Sequence, residues 1–201
     1  MFYNYTTRKL QCYLFILLPI LAFSQVAEIP KIDFKSNAEE VNKYVELFGL
    51  KDADALVVRL AYSLLPHIEP ESNYIVYLNN GKVRRYRINE SAQQIASPKI
   101  KRIRVKKKKY SEYWAFLNLC ASEGKFDIDQ SQLATLGEKA NSWKNAISGG
   151  QTYTFGLYQG ENYTEYKSFL PSMFTDEEYP GFEDKSKLIY VMEGFKTLAK
   201  D

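Results

Sequence analysis

The sequence predicts an α+β fold in which antiparallel β-hairpins pack with about four α-helices, as a single domain after a signal peptide. Three observations carry that expectation. Two stretches of period-two alternation are each split by a glycine-containing turn, the mark of a β-hairpin. Other stretches repeat their apolar residues at helical spacing, between residues that start and stop helices. No segment rich in Gly, Ser or Pro divides the chain, so its folded part reads as one unit.

Residues 1–24 read as an export signal. Arg8 and Lys9 give a positive start, residues 10–23 are almost all apolar, and Ala22-Phe23-Ser24 puts small residues at −3 and −1 of a cut before Gln25. The rival is a retained membrane anchor, which needs about 20 apolar residues; the run here scarcely reaches that length, with Gln11 and Gln25 near its ends. A lipid-modified cysteine would follow the apolar run, whereas Cys12 lies at its start. The expected organisation is therefore a signal peptide over 1–24 and one globular α+β domain over 25–201. The expected destination is periplasmic or extracellular, after cleavage between Ser24 and Gln25. Cys12 leaves with the signal, so Cys120 is the thiol that remains and no intrachain disulfide is available. The domain must hold itself together by packing.

Residues 25–35 read as a lead-in with a short strand over 32–34. A helix is expected after Ser36: Glu39 completes a capping box, and Ala38, Val41, Tyr44, Val45 and Phe48 fall at helical spacing before Gly49. A second helix is expected from Asp52 or Asp54, with Leu56, Val57, Leu60, Ala61, Leu64 and Leu65 turned inward and Pro66 as its limit. Together they would form an αα-hairpin. The pattern then switches to period two. Residues 74–78, the turn Asn79-Asn80-Gly81 and residues 82–88 predict a β-hairpin, because Asn-Gly accepts the positive φ of a tight turn. A polar loop over 89–98 leads to a strand marked by Ile100, Ile103 and Val105. Ser111 is expected to cap a helix reaching about Ser122, with Tyr113, Trp114, Phe116, Leu117 and Cys120 facing the core. Residues 126–136 read as a short strand followed by loop. A second hairpin pairs 152–158 with 163–169 around Gln159-Gly160-Glu161-Asn162, its tyrosines alternating as in a half-buried antiparallel sheet. After a loop over 171–180, the last helix spans about 184–200 on Leu188, Val191, Phe195 and Leu198.

Net charge conceals an uneven distribution. The chain has 27 Lys+Arg and 24 Asp+Glu, and without Arg8 and Lys9 the balance is +1. Yet residues 82–109 hold twelve cations against Glu90 alone. Residues 25–81 and 110–201 are net acidic, at −4 and −6. If the two strands in this segment lie side by side, their outward faces form one basic surface. Its candidate binding residues are Arg84, Arg85, Arg87, Lys101, Arg102, Arg104, Lys106, Lys107, Lys108 and Lys109. Such a surface suits an acidic protein partner or an anionic envelope polymer. Nucleic acid is disfavoured, because only Tyr86 and Tyr110 in the segment could stack on bases. The competing reading is a solvated lysine edge that blocks strand-to-strand aggregation, or a patch neutralised by the chain's own acids. The run from Lys106 to Lys109 sits unfavourably before a helix N-terminus, which hints at an external anion.

The case for chemistry is thin. His67, the single histidine, lies between Pro66 and Pro70 with Glu69 and Glu71, too few donors for a structural metal site. A Cys120/His67 pair would need an accessible, acidic thiol, whereas Cys120 is expected in the core. Asp127 with Asp129, Glu161 with Glu165, and Glu177 with Glu178 could serve a hydrolase, but none lies in a recognisable motif. No phosphate loop, GxSxG, HExxH, CxxC or EF-hand pattern occurs, and no cofactor is expected. The function expected is that of an exported, non-catalytic binding protein, of inhibitor or immunity type, using the basic sheet face or the tyrosine hairpin. The alternatives are a carboxylate-dependent hydrolase of envelope material and a membrane-anchored envelope component, the latter if the leader is retained.

Overall fold

The structure, a computed structural model, describes residues 28–37, 48, 55–63, 71–89, 99–134, 151–169, 171 and 179–200. The expected signal, His67 and nearly all of the expected first helix lie outside these residues. The described chain is built on one antiparallel sheet. Its strands are β1 Ser36–Asn37, β2 Ala55–Ser63, β3 Glu71–Leu78, β4 Val83–Asn89, β5 Lys99–Ile103, β6 Thr152–Gln159 and β7 Asn162–Phe169. They lie in the order β1-β7-β6-β2-β3-β4-β5, with β1 only a two-residue fringe on six long strands. Among the described residues there are three α-helices, where about four are expected: α1 Tyr110–Ser122, α2 Gln130–Ala134 and α3 Phe182–Leu198. None of the described helices is long and apolar enough to cross a membrane.

The main correction concerns β2, which lies where the second helix of an αα-hairpin is expected. It is the central strand, buried continuously from Ala55 to Ala61. A strand covered on both faces needs apolar residues on both, so its sequence loses the alternation that marks a half-buried strand. Leu56, Leu60 and Ala61 then match helical spacing without forming a helix. The adjacent β-branched Val57 and Val58, with Tyr62, favour the strand. Leu56, Val58 and Leu60 point to the helix-covered face and Val57 to the other. Each such burial contributes about 1.5–3 kcal/mol.

Both predicted hairpins form. β3 meets β4 through a turn in which Gly81 has φ 76°, and β6 meets β7 through Gly160 at φ 58°. One sheet face carries Leu56, Val58, Ile75, Tyr77, Val83, Phe155 and Leu157 under α1 and α3. Tyr113, Trp114, Leu117 and Cys120 of α1 and Leu188, Val191, Met192 and Phe195 of α3 close this core. Phe116 lies so close over Gly194 that any side chain there would have to displace the ring. Tyrosine hydroxyls tie the layers to backbone carbonyls: Tyr77 donates to Tyr113 at 3.1 Å, and Tyr113 donates to Leu198 at 3.0 Å. Trp114 Nε1 donates to Gly81 O at 3.0 Å and so fixes α1 beside the β3–β4 turn. The far face has its own apolar cluster of Ala55, Val57, Tyr74, Val76, Ile88 and Tyr158, with Phe48 stacked on Tyr86 at 4.4 Å.

Smaller corrections fall at three other places. Ser36 and Asn37 pair with Tyr163 and Asn162 as β1 rather than opening a helix, and residues 32–34 form no strand. Ser111 lies inside α1, its hydroxyl donating to Lys108 O at 3.4 Å, while the N-cap is Lys109 without a side-chain cap bond. The expected strand after Phe126 is instead a turn leading into α2. There Asp129 accepts from the Ser131 backbone N–H at 2.8 Å, and its carbonyl receives the Gln132 and Leu133 N–H groups. That is the local pattern by which Asp starts a helix.

Candidate functional site

β5 pairs with β4 from Lys99 opposite Asn89 to Ile103 opposite Arg85. There β5 ends, while β4 continues back to Arg84 and Val83 on its β3 side. The departing chain passes through Arg104, Val105 and Lys106 into a 3₁₀ turn, Lys107–Lys109, and then into α1. Where the two strands part, a cleft of about 640 Å³ opens, lined by Val83, Arg84, Arg102, Ile103, Arg104, Val105, Lys106, Lys107 and Tyr110.

Five of these nine residues are cationic and none is acidic. Arg102, Arg104, Lys106 and Lys107 are exposed and Arg84 is half-buried. None of the five makes an ion pair with a described residue. The adjoining 3₁₀ turn is entirely lysine, and Glu112 is the single acid in the first turn of α1. The helix dipole therefore adds to the positive field. Val83, Ile103 and Val105 supply an apolar wall beside these charges.

The strands do lie side by side, but they do not present all ten candidate residues on one surface. Arg84 and Arg85 are adjacent, so they point to opposite faces. Arg85 lies 5% exposed between Ile75 and Ile103 on the helix-covered side. Arg87 Nε pairs with Glu71 Oε1 at 2.9 Å, with exposed Lys101 opposite it on β5. Lys109 Nζ donates to Lys200 O at 2.8 Å, and Lys108 is exposed outside the cleft. Sequence reasoning missed the apolar wall and noted Tyr110 only as a possible stacking group. The signal was present in the alternation of Val83, Ile103 and Val105 among the cations.

The tyrosine hairpin has little surface left to offer. Tyr153, Phe155, Tyr158 and Tyr166 are buried, and Tyr163 stacks on Tyr158 with centroids 6.1 Å apart. Its charge is also spoken for. Glu165 accepts from Arg59 Nη1 at 2.8 Å and from Tyr158 OH at 2.7 Å, and pairs with Lys167 Nζ at 2.8 Å. Burial pushes the Glu165 carboxyl up, but Arg59, Lys167 and the Tyr158 hydroxyl outweigh it and hold the group below the usual range. Gly156 stands between Arg59 and Glu165 in the sheet, and a Cβ there would meet Tyr158 Oη at 2.7 Å. Its bareness is what lets the tyrosine ring reach across.

Of the paired carboxylates, Asp127 is held down by Lys35 Nζ at 3.0 Å and Asp129 by its Ser131 hydrogen bonds. Glu161 is in the β6–β7 turn, and Glu177 and Glu178 lie outside the described residues. Cys120 is fully buried, and burial followed by nearby Glu123 pushes its thiol up to about 12. No protein-family model matches this chain, and no curated protein matches it.

Proposed function

We propose that this chain is an exported, non-catalytic binding protein that holds an anionic partner in the cleft where β4 and β5 part. The observation that carries the reading is the gathering of Arg84, Arg102, Arg104, Lys106 and Lys107 around one opening with no carboxylate in its lining. An unbalanced cluster of this kind costs folding free energy through self-repulsion and returns it when an anion arrives. Arginine forks match carboxylates and phosphates bidentately, while the lysines act as mobile point charges. An acidic protein face or an anionic envelope polymer both present such groups. Nucleic acid fits less well, since Tyr86 is stacked on Phe48 and leaves Tyr110 as the aromatic group at the opening. A hydrolase would need an acid with a raised pKa, whereas Asp127, Asp129 and Glu165 are all lowered.

The test is titration of the full chain with heparin and with poly-L-glutamate in low and high salt. Binding should weaken steeply with salt. The double variant Arg102→Glu, Arg104→Glu should bind at least about tenfold more weakly, roughly the loss of one charge-assisted contact. Undiminished binding by that variant would remove the cleft from the reading.

A further inference from the structure

Resting on that reading, we infer that β5 is a docking strand: an extended acidic segment of a partner protein pairs with its outer edge and runs on into the cleft. The two edges of the sheet are finished differently. At the β7 edge, β1 pairs with Tyr163 and Asn162, and Lys35 N–H donates to Thr164 Oγ1 at 2.9 Å. Farther along, the Gln130 side-chain amide stands in for a strand. Its Nε2 donates to Lys167 O at 3.0 Å and its Oε1 accepts from Lys167 N–H at 2.8 Å. At the other edge, β5 pairs with β4 alone, and its outward backbone groups have no partner among the described residues.

An open edge of this kind is a template for a further strand. The side chains of β5 decide which strand it accepts. Lys99 and Lys101 project to one face, and Ile100 and Arg102 to the other. A second copy of β5 would set lysine and arginine against lysine and arginine, so self-pairing is opposed. A strand with acids opposite Lys99 and Lys101 gains cross-strand charge pairs instead. Ile100, 40% exposed and one of three large apolar side chains so exposed among the described residues, supplies an apolar contact on the opposite face. Past Ile103 an incoming chain would meet Arg104, Lys106 and Lys107 in the cleft. The lysines that guard the edge against its own kind thus select an acidic partner. A structureless anionic polymer could fill the cleft but has no backbone amides for the edge.

The probe is a labelled ten-residue peptide of alternating Asp and Val, titrated against the full chain beside the same peptide N-methylated at every amide. Both carry the same charge, but only the first can donate ladder hydrogen bonds. The unmethylated peptide should bind at least about tenfold more tightly, as two or three lost hydrogen bonds require. Amide exchange over residues 99–103 should slow with the peptide and not with heparin. If the two peptides bind within about twofold of each other, or if exchange at β5 is unchanged, strand addition is overturned while anion binding at the cleft stands. If the peptide fails to bind while heparin binds, strand addition is likewise overturned. If neither peptide, heparin nor poly-L-glutamate binds, the cleft reading falls with it.

Discussion

Glu165, Gly156, Arg59, Tyr74, Tyr86 and Arg102 form one cross-strand row running from β7 to β5 on a single face of the sheet. Of the two cations in this row, Arg59 on β2 serves the fold and Arg102 on β5 does not. Arg59 is enclosed, meets Glu165 at 2.8 Å and shares it with Tyr158 and Lys167. Arg102 is exposed at the cleft among four other cations and meets no carboxylate of the described residues. Burying a charge is tolerable only when it is paired and hydrogen-bonded, and the β2–β6–β7 end meets that condition. At the β4–β5 end, Arg102, Arg104, Lys106 and Lys107 stay in water and so carry no such obligation. The same residue type, a few strands apart, is structural where it is matched and left in solvent where it is not.

The largest expected effect would come from breaking the matched end. Glu165→Ala removes the carboxylate that enclosed Arg59 meets at 2.8 Å and should cost about 3 kcal/mol of stability, read by urea denaturation, with heparin affinity of the folded protein unchanged. A loss below about 0.5 kcal/mol would place the cluster among ordinary surface pairs. Cys120→Ala sharpens the comparison at the core between α1 and the sheet. It should cost about 1 kcal/mol as a small cavity, and the native Cys120 peptide should stay unlabelled by a thiol reagent in a mass-spectrometric assay. Rapid labelling would contradict the buried, high-pKa thiol. The smallest effect concerns acid. Folding lowers the Glu165 pKa, so the contribution of the cluster is in place above the ordinary value of about 4.3 and is lost as pH falls through the lowered folded value. Thermal midpoints should fall in that acid range, and Glu165→Gln should flatten the fall.

Much of this architecture was legible in the sequence, and the failures share a cause. The hairpins were readable because Asn80-Gly81 and Gly160 mark turns that few other residues accept. α1 and α3 were readable because each buries one stripe and exposes the rest. β2 was misread because a strand buried on both faces carries no alternation, and Leu56 with Leu60 then imitates a helix. Ser36 offered a good capping box, yet pairing with Tyr163 placed it at the sheet edge. Tertiary pairing outweighed local propensity at both places. For the site, composition located the basic segment but could not sort it. Alternation alone separates Arg84 from Arg85 and Arg87, but the cleft depends on where β5 leaves β4, which only the register at Ile103 reveals. Nor could spacing in the sequence foretell that Glu71 would take Arg87 and that the Lys200 carbonyl would take Lys109.

The most direct measurement sets the two ends of the row against each other in one experiment. Heparin affinity and urea stability would be measured for the full chain, for Glu165→Ala and for the Arg102→Glu, Arg104→Glu double variant. A double dissociation is expected: Glu165→Ala loses stability and keeps its affinity, while the double variant keeps or gains stability, as self-repulsion is relieved, and loses its affinity. A double variant that unfolds as readily as Glu165→Ala, or one that binds heparin as tightly as the unaltered chain, would contradict the assignment of the cleft to an anionic partner.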